Sequence, residues 1–80
     1  MSMEYDVYAE IVKNEIAKYV NVNIEQSDKF TLILHFYHVY KYVRINLIPY
    51  YRSGLYPINA AKIIADKAVN IIVNEYLKTI

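Results

Sequence analysis

The chain has no cysteine, no tryptophan, one glycine and two prolines. Without cysteine there is neither a disulfide framework nor a thiolate metal site. Small secreted domains usually depend on such staples, so the expected setting is a cytoplasm. With glycine and proline this scarce, little of the chain reads as linker, and no glycine-rich loop is available to cradle a phosphate. No apolar run can span a bilayer, because the longest, near the C-terminus, is interrupted by Asp66, Lys67, Asn70, Asn74 and Glu75. The start, Met1-Ser2-Met3-Glu4, lacks the basic region of a secretory signal. No membrane partner is expected.

What the chain does contain is apolar, aromatic and unevenly charged. Of its 80 residues, 56% are hydrophobic and ten are tyrosine. That is a rich supply for a single domain that hides only about 60–65% of its unfolded surface. The net charge of +1 conceals a segregation. Residues 1–28 carry six acids against Lys13 and Lys18, a balance of −4, whereas residues 29–65 carry Lys29, Lys41, Arg44, Arg52 and Lys62 with no acid, a balance of +5. A basic middle points to an anionic partner, or to neutralisation by the acidic first helix inside the fold.

The apolar spacing changes period twice. From Met3 to Val20 a period near 3.6 gathers Tyr5, Tyr8, Ala9, Val12, Ile16 and Tyr19 on one helical stripe, with Ser2 placed to cap the start. Val20, Val22 and Ile24 then alternate with polar residues, the mark of a strand with one wet face. Gln26 to Lys29 reads as a turn. The second strand, 30–37, puts Phe30, Leu32, Leu34 and Phe36 inward. In the third, Val43, Ile45 and Leu47 face the core and Tyr42, Arg44 and Asn46 lie opposite. The apolar phase switches between them, which requires a turn or bulge within 37–41 although no turn-forming residue stands there. Pro49 ends the third strand, residues 50–56 form a loop tightest at Ser53-Gly54, and Pro57 opens a helix to about residue 79. Its core stripe is Ala61, Ile64, Ala65, Ala68, Ile71, Ile72 and Tyr76. The expected architecture is α+β: helix, three-stranded antiparallel meander, helix (αβββα), with both helices on one sheet face and the other face open.

The open face and its surroundings hold the candidate site. Six of the ten tyrosines fall within residues 37–56, interleaved with Lys41, Arg44 and Arg52. Aromatic rings on an open sheet stack bases while Lys and Arg meet phosphates, so Tyr37, Lys41, Tyr42, Arg44, Arg52 and Lys62 are the candidate nucleic-acid contacts. The same flat amphipathic rings also suit a protein interface. Two further apolar spots, Val7 with Ile11 on the first helix and Val73, Leu77 and Ile80 on the last, lie off the core stripes and mark a candidate homodimer interface. His35 and His38 have no converging ligands for a metal, and although Glu25, His35 and Asp28 could meet, no nucleophile is paired with a base. A non-enzymatic protein without cofactor is expected.

Two resemblances accompany this reading. The element order, with Ala60-Ala61-Lys62-Ile63-Ile64-Ala65 near the start of the last helix, resembles the double-stranded RNA-binding domain. In that family a lysine cluster opens this helix and grips phosphates. Only Lys62 matches it here: Ile58 and Asn59 occupy the other lysine positions, and Ser27-Asp28 stands where the family has a Gly-Pro-containing loop. The composition, rich in Ile, Tyr, Asn and Lys, resembles small accessory proteins of hyperthermophilic archaeal viruses and plasmids. That resemblance implies a compact dimer acting in the host cytoplasm on nucleic acid or on a host or viral protein. The expected function is an accessory protein contacting nucleic acid through its tyrosine-rich sheet face, the alternative being a protein–protein interaction module, an inhibitor or adaptor, using the same surface.

Overall fold

The structure is a computed structural model that describes residues 3–78. The elements run α1 (Tyr5–Tyr19), β1 (Asn23–Gln26), β2 (Thr31–Phe36), β3 (Lys41–Asn46), α2 (Ile48–Arg52) and α3 (Pro57–Lys78). The three strands form one antiparallel sheet in the order β1-β2-β3. This is the α+β helix–meander–helix order that the two changes of period imply. The position expected for the first cap, Ser2, lies outside the described residues, and α1 begins at Tyr5 rather than Met3, with Glu4 at its N-cap.

Alternation along the strands decides which side chains meet the helices. Leu32 and Leu34 of β2 and Val43 and Ile45 of β3 join Tyr5, Tyr8, Val12 and Ile16 of α1 and Ala60, Ala61, Ile64, Ala68 and Ile72 of α3 in one buried cluster. Val20, Val22 and Ile24 close its edge, half-buried. Lys13 Nζ donates to Gln26 Oε1 at 3.1 Å, and α1 turns back directly into β1, so the two run antiparallel. On α3, Lys67 and Ile71 lie beside Arg44 and Tyr50, while Ile72 and Glu75 lie beside Tyr40 and Tyr42, so α3 runs antiparallel to β3. Because β1 and β3 point the same way, the two long helices are parallel.

Three parts of the sequence-based stripes are corrected. Tyr19 is exposed: it is the last residue of α1, and Val20 and Val22 fill the core edge instead. Phe30 is also exposed, ahead of β2 rather than in it, with its ring edge-on to Tyr5 at 5.1 Å. Ile71 is exposed on the flank of α3 beside the outer edge of β3, and Tyr76 because α3 outruns the sheet. Its 22 residues span roughly 33 Å, against roughly 20 Å for a six-residue strand. After Ile72 no described residue of α3 is buried, which gives the molecule a 45 Å long axis against 19 Å in the other two directions.

The segment expected as a loop contains the short helix α2. Asn46 Oδ1 accepts the Ile48 N–H at 3.0 Å, Pro49 supplies a φ suited to a first turn, and the Tyr51 and Ser53 amides bond back to Leu47 and Pro49 carbonyls. Gly54, at φ +80°, then reverses the chain, as the Ser53-Gly54 pair suggests. The turn expected within 37–41 is present as a four-residue connection, with Val39 N–H donating to Phe36 O. Its last residue, Tyr40, sits at φ +55° and is 94% exposed. A left-handed backbone costs a non-glycine residue about 1–2 kcal/mol, partly offset in a glycine by its larger unfolded-state entropy. Tyr40→Gly is therefore expected to raise stability by about 0.5–1 kcal/mol in denaturant titration; a loss would show that the ring itself stabilises the turn.

Candidate nucleic-acid interface

The face that no helix covers carries Asn23 and Glu25 from β1, Thr31, Ile33 and His35 from β2, and Tyr42, Arg44 and Asn46 from β3. Strand register sets them in rows: Asn23, His35 and Tyr42 in one, Glu25, Ile33 and Arg44 in the next. Ile33 is only 8% exposed although it belongs to this outer face. Its neighbours in the row, Glu25 and Arg44, flank it on the two adjoining strands.

The aromatic part of the face lies toward the β2–β3 turn. His35 and Tyr42 are cross-strand partners with ring centroids 6.1 Å apart and planes inclined by 43°. His35 Nε2 also lies 3.0 Å from Glu25 Oε1, which fixes the imidazole on its other side. Tyr37 and His38 pack at 4.4 Å, the Tyr37 hydroxyl donates to Asn21 Oδ1 at 3.1 Å, and His38 Nε2 is 3.4 Å from Asn21 Nδ2. The rings at this end are thus tied to the α1–β1 connection, while Tyr42 remains 60% exposed.

The basic character is local rather than general. Arg44 is exposed on the face, but the fold brings Glu25 into its row, and the Asp28 carboxylate lies close enough to interact with it. Asp28 is held below the usual aspartate range chiefly by the hydrogen bond from the Phe30 amide, 2.8 Å long, then by the Thr31 hydroxyl and amide, and by the charge of Arg44. A lowered folded value means that ionised Asp28 favours the folded state. That contribution is full above the ordinary aspartate range and disappears as pH falls through the lowered folded value. Asp28→Asn is expected to narrow the stability difference between pH 7 and pH 2 in thermal melts; an unchanged acid limb would remove Asp28 from the account.

The remaining candidates are dispersed. Lys41 begins β3 on the helix side of the sheet, where it shares a cleft with Ile71, Ile72 and Glu75. Arg52 ends α2 at the opposite end of the sheet and shares a cleft with Lys29, Tyr5 and Tyr51. Lys62 is exposed on α3, in the helical layer rather than on the open face. Of the six candidate contacts, Tyr42 and Arg44 share the open face, and Tyr37 lies beyond the end of β2, bonded to Asn21 and packed on His38. His35, to which the sequence offers no metal partners, joins the face as the cross-strand partner of Tyr42. The four-residue loop that pairs Phe36 with Lys41 is the signal that would have found it. Glu25 meets His35, but the Asp28 acceptors are engaged by Phe30 and Thr31, so the three do not assemble.

Of the candidate dimer residues, Val7 is exposed and Ile11 half-buried on α1; Val73 and Leu77 are exposed on the overhang of α3, and Ile80 lies outside the described residues. With α1 and α3 parallel, Val7 sits at the α2 end and Leu77 beyond the other, so they do not form one patch. Comparison with protein-family models, curated proteins and solved structures returns no match. The functional reading therefore stands on this geometry.

Proposed function

We propose that the protein is a non-catalytic nucleic-acid-binding accessory protein whose open sheet face receives single-stranded DNA or RNA. The observation that carries this reading is the cross-strand His35–Tyr42 aromatic pair on an uncovered sheet, with Arg44 two residues along the same strand. Bases stack on such rings at about 1–3 kcal/mol each without regard to sequence. Arg44 then meets a phosphate, and Glu25, which orients His35, repels the backbone from the β1 side and directs the strand toward β3. The setting is a cytoplasm, the host's where the chain is viral.

The test is binding of labelled single- and double-stranded oligonucleotides followed by anisotropy over a salt series. Single strands bind more tightly, and affinity falls steeply with salt as counterions are released. Absence of binding to any nucleic acid at low salt overturns the reading. A second reading, a protein–protein interaction module, is favoured by the α3 overhang, where Val73 and Leu77 are 47% and 60% exposed beyond the last buried residue. Loss of partner capture in Leu77→Asp, with nucleic-acid binding absent in wild type, would support it.

A further inference from the structure

We infer that β3 is a pairing edge for a second copy of this chain, joined antiparallel about a two-fold axis that passes beside Val43 and Ile71. The inference does not depend on the nucleic-acid reading. It begins with the hydrogen-bond pattern of the sheet. Leu47 N–H donates to Phe30 O at 2.8 Å, which makes 30 and 47 a hydrogen-bonded pair. In an antiparallel ladder such pairs alternate, so Leu32–Ile45 and Leu34–Val43 bond inward to β2. The N–H and C=O groups of Tyr42, Arg44 and Asn46 consequently point out of the sheet along its free edge. β1 leaves an edge as well, but it has only four residues. β3 has six, with no proline and no bulge, and the usual devices that blunt an edge are absent from it except for its two cations, Lys41 and Arg44.

Self-pairing must match outward residues with outward residues, which leaves few registers. Centring the axis on Arg44 would set Arg44 directly against its own copy, and like charges in that position are destabilising. Centring it on Tyr42 would shorten the ladder, because Tyr40 turns the chain away at φ +55°. Centring it on Val43 sets Tyr42 opposite Arg44 of the second copy, twice over, with four backbone hydrogen bonds and a ring facing a guanidinium on the open side of each pair.

The helix beside this edge matches the same axis. Ile71 lines both clefts that flank β3, one of about 430 Å³ with Tyr40, Lys41, Tyr42 and Glu75, the other of about 250 Å³ with Arg44, Asn46 and Lys67. It therefore lies level with Val43. Lys67 and Glu75 stand one helical turn to either side of it, both exposed. A two-fold axis at Ile71 places the exposed Ile71 against its own copy and Lys67 against Glu75 of the second copy, again twice. Centring on Ile45 would pair Arg44 with Asn46 and keep four backbone bonds, but it moves the axis toward Lys67 and loses the Lys67–Glu75 match. Strand register leaves these two axes, and the helix charge order selects the one at Val43, where the exposed Ile71 acquires a partner.

The experiment is sedimentation of the full chain with amide hydrogen exchange. Wild type is expected to be dimeric at tens of micromolar, with Tyr42 and Arg44 amides whose exchange slows as protein concentration rises. Lys67→Glu alone and Glu75→Lys alone each weaken the dimer by roughly tenfold, and the doubly exchanged Lys67→Glu/Glu75→Lys chain recovers wild-type association. These side chains are exposed, and circular dichroism confirms that each variant folds. A monomer at all concentrations overturns the inference. So does a dimer in which those two amides exchange freely, a double variant that stays as weak as the singles, or a dimer abolished by Leu77→Asp and indifferent to Ile71→Asp.

Discussion

Tyr8→Phe is expected to raise the unfolding free energy by about 1–2 kcal/mol, and Tyr8→Ala to lower it by about 3–5 kcal/mol. Tyr8 is completely buried in α1, edge-on to Tyr51 with centroids 5.1 Å apart. Its ring fills the junction of α1, the sheet and α2, so truncation removes a large apolar contact and leaves a cavity. Its hydroxyl is buried without a hydrogen-bond partner among the described residues, as is that of Tyr5. An unpaired buried hydroxyl costs free energy that phenylalanine, with the same ring, does not incur. By contrast the Tyr51 hydroxyl donates to the Met3 carbonyl at 2.6 Å, so Tyr51→Phe has no such gain. Burial also pushes the Tyr8 phenol above its ordinary value. A raised folded value means that stability is full below the ordinary phenol range and is lost as pH climbs toward the folded value. The Tyr8→Phe variant lacks that part of the alkaline loss. Urea titrations at pH 7 and above pH 10 measure both effects; equal stability of Tyr8→Phe and wild type at both would show the hydroxyl to be satisfied.

Tyr42→Ala is expected to weaken single-strand binding by about 1–3 kcal/mol, roughly 5- to 150-fold, with little change in the salt slope. Arg44→Ala should instead lower that slope by about one unit, because a phosphate contact acts through counterion release. The two residues are neighbours on the same face, so the contrast separates stacking from charge at one place. Arg52→Ala, at the other end of the sheet, lowers the slope only if the strand runs the length of β3. Lys62→Ala, in the helical layer, leaves both quantities unchanged if the open face is the whole contact. A Tyr42→Ala variant that binds as wild type does would remove the stacking platform and leave a purely electrostatic contact. Both substitutions are at exposed positions, so the stability of the chain stays nearly constant. Because both residues also face the second copy across the β3 edge, binding is compared at one association state checked by sedimentation.

Much of the fold was legible because backbone periodicity is a local property. The switch from 3.6 to 2 and back located α1, the three strands and α3. The buried positions Tyr5, Tyr8, Ala9, Val12 and Ile16 follow from helical spacing alone, and the phase change across 37–41 required the turn even without a glycine. Tyr42 and Arg44 were assigned to one exposed face by the same argument, since alternate side chains of a strand share a side. None of this needs knowledge of what lies opposite.

The remaining features depend on what lies opposite, and only tertiary structure decided them. Tyr19, Ile71 and Tyr76 match the periodicity of their helices, yet they are exposed because α1 ends at Tyr19, Ile71 flanks the outer edge of β3, and α3 is longer than the sheet it covers at Tyr76. The five residues of α2 are too few for a periodic signal; their turn is held by Pro49 and the Asn46 side chain. The basic stretch of sequence does not become a basic surface. Register sets Glu25 in the row of Arg44, the β1–β2 turn brings Asp28 near it, and Lys41, Arg52 and Lys62 go to three other places. Charge along a chain is additive, but charge on a surface depends on which strands become neighbours. That pairing, through a four-residue loop, set His35 beside Tyr42 and left the outer edge of β3 unpaired among the described residues.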